Sequence, residues 1–164
     1  MEEIENSKID GKSKGILLLA GSSGLVKGVT IEVGNPTLGN PGYGLSLDRS
    51  SNVIMRQSTI KTSDIAVQIE TTDPEKILII GNTFVIDTPQ IEQESRLYSS
   101  AGRGDKPPIL FFSPQASNNF KGNAIYYVPD SRFDYPQGLT SVLYEEAIAN
   151  GNTFIQASSS INIR

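Results

Sequence analysis

Apolar positions along this chain recur in a box of six residues: Ile4-Glu5-Asn6-Ser7-Lys8-Ile9, Val26-Lys27-Gly28-Val29-Thr30-Ile31, Met55-Arg56-Gln57-Ser58-Thr59-Ile60, Ile79-Ile80-Gly81-Asn82-Thr83-Phe84, Phe120-Lys121-Gly122-Asn123-Ala124-Ile125 and Ala149-Asn150-Gly151-Asn152-Thr153-Phe154. Each copy opens with an apolar residue and a free position. A small or amide residue follows, then two mostly polar positions, and Ile or Phe closes the box. Before most copies lies a second apolar run, as in Leu17-Leu18-Leu19, Leu45-Ser46-Leu47, Val67-Gln68-Ile69 and Ile109-Leu110-Phe111-Phe112. Runs this short, rich in Ile, Val, Phe and Thr, predict strands, and self-similarity at about 20 to 40 residues is the mark of a solenoid. Only 142–149 has helical character, over a turn or two ended by Asn150-Gly151, and this stretch is alternatively another rung of the solenoid.

Each unit thus reads as strand, polar turn, strand and a connection of variable length. Stacking the units predicts an all-β fold, a short right-handed parallel β-helix of about five rungs with long loop insertions. Inward Ile, Val, Leu and Phe then pile into columns, each large side chain contributing about 1.5–3 kcal/mol. Asn6, Asn82, Asn123 and Asn152 fall near the corners, where an amide can bond the backbone of the next turn. Gly28, Gly81, Gly122 and Gly151 suit corners that need positive φ. Insertions at 88–108 and 129–139, and a smaller one at 34–44, break the repeat; loops of this kind usually meet a ligand or another subunit.

The first box begins at Ile4 with no apolar run ahead of it, so the chain reads as opening in mid-coil. The expectation is a single domain over residues 1–164, the C-terminal part of a longer protein. A bare solenoid end exposes unpaired backbone. Trimerisation, with the parent protein continuing upstream, would cover it.

Composition narrows the chemistry. The net charge of −4 is spread along the chain, which argues against broad nucleic-acid binding. No run approaches the roughly 20 apolar residues a bilayer demands, so no membrane partner is expected. Cysteine and histidine are both absent. That removes thiolate nucleophiles, the usual general base and the usual metal ligand, so no metal site is expected. Carboxylates, hydroxyls, amides, Lys, Arg and Tyr remain.

Among these, the acidic start stands out: Glu2, Glu3 and Glu5, followed by Asp10. Clustered carboxylates can supply a general acid or base near neutrality. Glu5 occupies the second box position, where later copies place Lys27 and Arg56, so stacking in register sets Glu5 beside Lys27. A plain surface ladder, worth under about 1 kcal/mol, is the simpler account. The segment Gly102-Arg103-Gly104-Asp105-Lys106 can fold round an anion or can be an ordinary solvated loop. Gly21-Ser22-Ser23-Gly24-Leu25-Val26-Lys27-Gly28 lacks the ending of a phosphate-binding loop and reads as a turn between strands. Arg132-Phe133-Asp134-Tyr135, with Tyr126 and Tyr127, could stack a base or a sugar, or pack against a neighbouring subunit.

The mid-rung opening at Ile4-Glu5-Asn6, the Gly-Asn-Thr-Phe corners and the long insertions resemble the C-terminal domain of the pre-neck appendage proteins, tail spikes of small Bacillus-infecting podoviruses. The resemblance implies an intramolecular chaperone. Such a domain helps three chains of the spike assemble in register, then leaves by self-cleavage, with ATP implied in its release. It implies a cut at the beginning of this chain, with Glu5 as the catalytic carboxylate and Glu2, Glu3 and Asp10 as helpers. Arg103 and Lys106 are the candidates for nucleotide contact, on charge and flexibility. The implied setting is the virion tail, with assembly in the bacterial host cytoplasm. Two other readings stay open: a receptor-binding spike tip without processing, and a β-helical glycan-cleaving enzyme using Asp48, Glu70 and Asp73.

Overall fold

The structure, a computed structural model, describes residues 2–11, 14–19, 21–33, 43–47, 52–62, 65–69, 77–86, 98–99, 119–129, 131, 133–136 and 139–157. Strands dominate, as the apolar pattern predicts. They come in tiers along the chain: β1 (Glu2–Glu5), β2 (Lys8–Gly11) and β3 (Lys14–Leu18); β4 (Ser23–Lys27), β5 (Thr30–Val33) and β6 (Tyr43–Leu47); β7 (Asn52–Arg56), β8 (Thr59–Thr62) and β9 (Ile65–Ile69); β10 (Ile77–Ile80), β11 (Thr83–Ile86) and β12 (Tyr98–Ser99). Then follow β13 (Phe120–Lys121), β14 (Ala124–Tyr127), the helix α1 (Ser141–Ala149) and β15 (Thr153–Gln156).

The chain visits three sheets in rotation. Sheet A runs β1-β4-β7-β10-β13, sheet B runs β2-β5-β8-β11-β14-β15, and sheet C runs β3-β6-β9-β12. Every pair is parallel, and each strand bonds its counterpart one tier away. Backbone groups are therefore satisfied along the axis of stacking.

Each of the first five boxes is the corner between a sheet A strand and a sheet B strand. Its third position always has positive φ: 48° at Asn6, 63° at Gly28, 51° at Gln57, 64° at Gly81 and 63° at Gly122. The bend demands the left-handed region, which explains why small and amide residues recur there. Asn6 therefore forms the bend itself. It stands one position before Asn82, Asn123 and Asn152, with which the sequence pattern had grouped it.

Those three asparagines form a buried ladder. The Asn152 Oδ1 accepts from the backbone N–H of Asn123 (3.1 Å) and from its Nδ2 (3.0 Å). The Asn123 Oδ1 accepts in the same way from Asn82, at 2.9 and 3.2 Å. One tier further, the Asn82 Oδ1 accepts from the Ser58 N–H at 3.0 Å, and the Ser58 Oγ accepts from the Val29 N–H at 3.1 Å. The remaining amide protons of Asn82 and Asn123 go to the carbonyls of Met55 and Ile79, one tier back, at 2.9 and 3.1 Å. A buried amide is inexpensive only when its donors and acceptor all find partners.

The core lies between the sheets. In sheet B one inward column runs Ile9, Ile31, Ile60, Phe84, Ile125 and Phe154 through consecutive register partners. In sheet A the corresponding column is Ile4, Val26, Met55, Ile79 and Phe120. The Phe84 and Phe120 rings stack at 5.5 Å where the two columns meet. Sheet C approaches so closely that a Cβ on Gly44 would lie 2.5 Å from the Ile60 Cγ2. Only glycine fits that contact.

Two details depart from the pattern. The last tier replaces the sheet A strand with α1, capped by the Thr140 Oγ1, which accepts from the Leu143 N–H at 3.3 Å. Its end is a Schellman motif: Gly151 (φ 78°) donates to the Ile148 carbonyl at 2.9 Å, and Asn152 donates to the Ala147 carbonyl at 3.1 Å. The sixth box is thus a helix cap and a corner at once. In the fourth tier the sheet C strand is Tyr98–Ser99, inside the stretch read as an insertion, paired with Val67-Gln68. The run 109–112, expected to precede the next box as a strand, lies outside the described residues.

Asn123→Ala strips partners from the Asn82 N–H and Nδ2 and from the Ile79 carbonyl. It is expected to destabilise the fold by about 3 kcal/mol or more, at about 1–3 kcal/mol per buried orphaned group. Asn6→Gly, at an exposed bend, is expected to change stability by less than about 0.5 kcal/mol. Urea unfolding of the two variants checks both values.

Candidate functional site

Outward residues of sheet A form a charged ladder along the stack. Read through the register, it runs Glu5, Lys27, Arg56, Ile80 and Lys121. The Glu5 Oε1 lies 3.7 Å from the Lys27 Nζ, and the two side chains are 40% and 37% exposed. The expected juxtaposition of Glu5 and Lys27 is therefore present, at the edge strand of the sheet.

The other acidic candidates are distributed rather than gathered. Glu2 and Glu3 share β1 with Glu5 and are exposed. Asp10 belongs to β2 in sheet B, beyond the Asn6-Ser7 corner. There the Lys8 Nζ bridges the Asp10 carboxylate at 3.5 Å and the Glu32 carboxylate at 3.7 Å. At the corner itself, the Ser7 hydroxyl donates to the Glu5 backbone carbonyl at 2.8 Å. Glu5 is thus a water-accessible carboxylate steadied by an ammonium group, with a hydroxyl two residues on. Such a group can accept a proton from water or from a hydroxyl.

Beside this ladder lies an open depression of about 510 Å³, lined by Lys27, Arg56, Gln57, Ile80 and Gly81. Its lining comes from three successive boxes, so no single motif announces it. The signal available in the sequence is the second box position, which holds Lys27, Arg56 and Lys121.

Arg103 and Lys106, the nucleotide candidates, and Asp48, Glu70 and Asp73, the glycan-cleaving candidates, lie outside the described residues, as does Arg132. Gly21-Ser22 forms a turn between β3 and β4, with the Ser22 N–H donating to the Leu19 carbonyl at 3.0 Å. Two of the tyrosines considered as stacking platforms are used in packing. Tyr127 meets the Phe154 ring edge-on at 6.3 Å. Tyr135 meets Tyr144 at 5.4 Å, and Tyr144 meets Phe154 at 5.5 Å. This cluster packs α1 against the last strand.

No protein-family model matches the chain, and neither a curated protein nor a solved structure does.

Because the Glu5–Lys27 pair is well solvated, its coupling is expected to be small. A double-mutant cycle with Glu5→Gln and Lys27→Met should return under about 1 kcal/mol, falling further in high salt. Thermal unfolding of the four proteins at two ionic strengths measures it.

Proposed function

We propose that this chain is a trimeric assembly domain, a short right-handed parallel β-helix that continues a longer β-helical spike protein and then cuts itself free. The observation carrying the reading is that β1, β2 and β3 each hold the terminal position of their sheets, on the same side of the stack. Three strand edges presented together are a template for another tier of the same kind. Glu5 stands on one of those edge strands.

Parallel pairing over long sequence separations folds slowly and invites errors of register. A compact trimer at one end of a spike would raise the effective concentration of the three upstream chains and align their first tiers. Cleavage afterwards makes the assembled state irreversible. In the cut, the Glu5 carboxylate accepts a proton from water, the water oxygen adds to the peptide carbonyl carbon, the C–N bond breaks, and the proton passes to the departing amine. Lys27 steadies the carboxylate, with Glu2, Glu3 and Asp10 as helpers. ATP acts in release, with Arg103 and Lys106 contacting its phosphates.

The test is expression of the chain extended by the residues that precede it in the longer protein. Intact mass is expected to give two fragments without added protease, while Glu5→Gln gives one unbroken chain. Sedimentation should return the mass of three subunits for the released domain. Normal processing of the Glu5→Gln protein would remove that residue from the reaction, and a monomer in sedimentation would remove the trimer.

A further inference from the structure

Like charges stand side by side on both outer ladders, and the two ladders treat them differently. In sheet B, Asp10 and Glu32 are register partners, and the Lys8 ammonium sits between them at 3.5 and 3.7 Å. In sheet A, Lys27 and Arg56 are register partners on strands about 4.8 Å apart. Directly opposed like charges destabilise a sheet. Glu5 reaches Lys27 from the far side. Among the described residues, sheet A supplies a carboxylate to Lys27 but none to Arg56.

The gap coincides with the depression of about 510 Å³, whose lining includes both cations. That volume falls in the range of small-molecule sites, about 300–1,000 Å³. Gln57 lines the same depression, and its backbone is at φ 51°. The bend positions before and after it, Gly28 and Gly81, are glycine, which takes this conformation freely. A glutamine there is strained, and local strain tends to be kept where a side chain has a task. Its amide makes no hydrogen bond among the described residues, and it adds two donors and an acceptor to the cationic pair. Ile80 and Gly81 supply an apolar, unobstructed wall, since a Cβ on Gly81 would meet no atom within 4 Å.

We infer that Lys27, Arg56 and Gln57 form a binding site for an oxyanion, phosphate or carboxylate, carried on a saccharide-sized group. The Arg56 guanidinium takes the oxyanion as a fork, Lys27 adds a point charge, and the Gln57 amide bonds a neighbouring hydroxyl. The body of the ligand lies against Ile80 and Gly81. The inference shares Lys27 with the self-cleavage reading but is tested apart from it, through Arg56 and Gln57, which take no part in that reaction.

Calorimetric titration of the intact chain in low salt tests it, with glucose 1-phosphate, glucuronate, inorganic phosphate and glucose as probes. At least one of the two anionic sugars is expected to bind, and whichever binds more tightly identifies the anion. Glucose is expected not to bind, and inorganic phosphate to bind more weakly than the sugar phosphate. Arg56→Ala should weaken binding about tenfold or more. Gln57→Gly should weaken it several-fold while leaving the thermal midpoint unchanged or higher, which separates loss of contact from loss of fold. Absence of binding by both anionic sugars at about 10 mM, equal binding of glucose, or an Arg56→Ala affinity within twofold of the parent would overturn the site. An unchanged affinity in Gln57→Gly would remove that residue from it.

Discussion

Parallel strands carry no turn chemistry to fix their register, and a slip of one residue would send every inward side chain outward. In this chain the constraint is met at the corner between sheets A and B. A bend of fixed length holds one residue in the left-handed region, and the next residue reaches into the adjoining tier. From Asn152 through Asn123 and Asn82 to Ser58, each side-chain oxygen accepts the N–H of the equivalent residue one tier back. A slipped tier would bury several amide groups without partners, at about 1–3 kcal/mol each. The columns of Ile, Val, Met and Phe supply most of the driving force, but apolar columns alone tolerate sliding. Directional amides do not.

The same corner explains how a helix enters a stack of strands. A bend that holds one residue in the left-handed region is also what a Schellman cap requires. Gly151 and Asn152 meet both demands, so α1 replaces a sheet A strand without disturbing β15. The ladder ends on that helix, where the Asn152 Nδ2 donates to the Ala147 carbonyl at 2.9 Å. One local geometry serves two kinds of element.

The six-residue boxes made the parallel strands and their corners legible, because one backbone bend selects the same residue types each time. They also placed Glu5 beside Lys27, since a shared box position means a shared ladder. Residue type alone could not assign Asn6, because asparagine suits both the bend and the ladder. Tyr98–Ser99 escaped because a two-residue strand has no periodicity to detect. The 142–149 segment was ambiguous between helix and rung, since its ending suits either. The depression beside Arg56 was invisible for another reason: its lining is assembled across tiers. Arg103 and Lys106 stood out in the sequence by charge and glycine neighbours, properties that do not by themselves bring two side chains to one place.

One seam of this architecture has a rigid length and the other two do not. Between the sheet A and sheet B strands of the first five boxes the chain always has the same two residues, whereas the passage from sheet B to sheet C is as short as Thr62 to Ile65 or as long as Ile86 to Tyr98. Foreign peptides grafted into the long passages would therefore leave the stacking unaltered. A single residue added at the short corner would throw all later tiers out of alignment. The molecule is in effect a ruler with interchangeable attachments, its graduations set along one edge only.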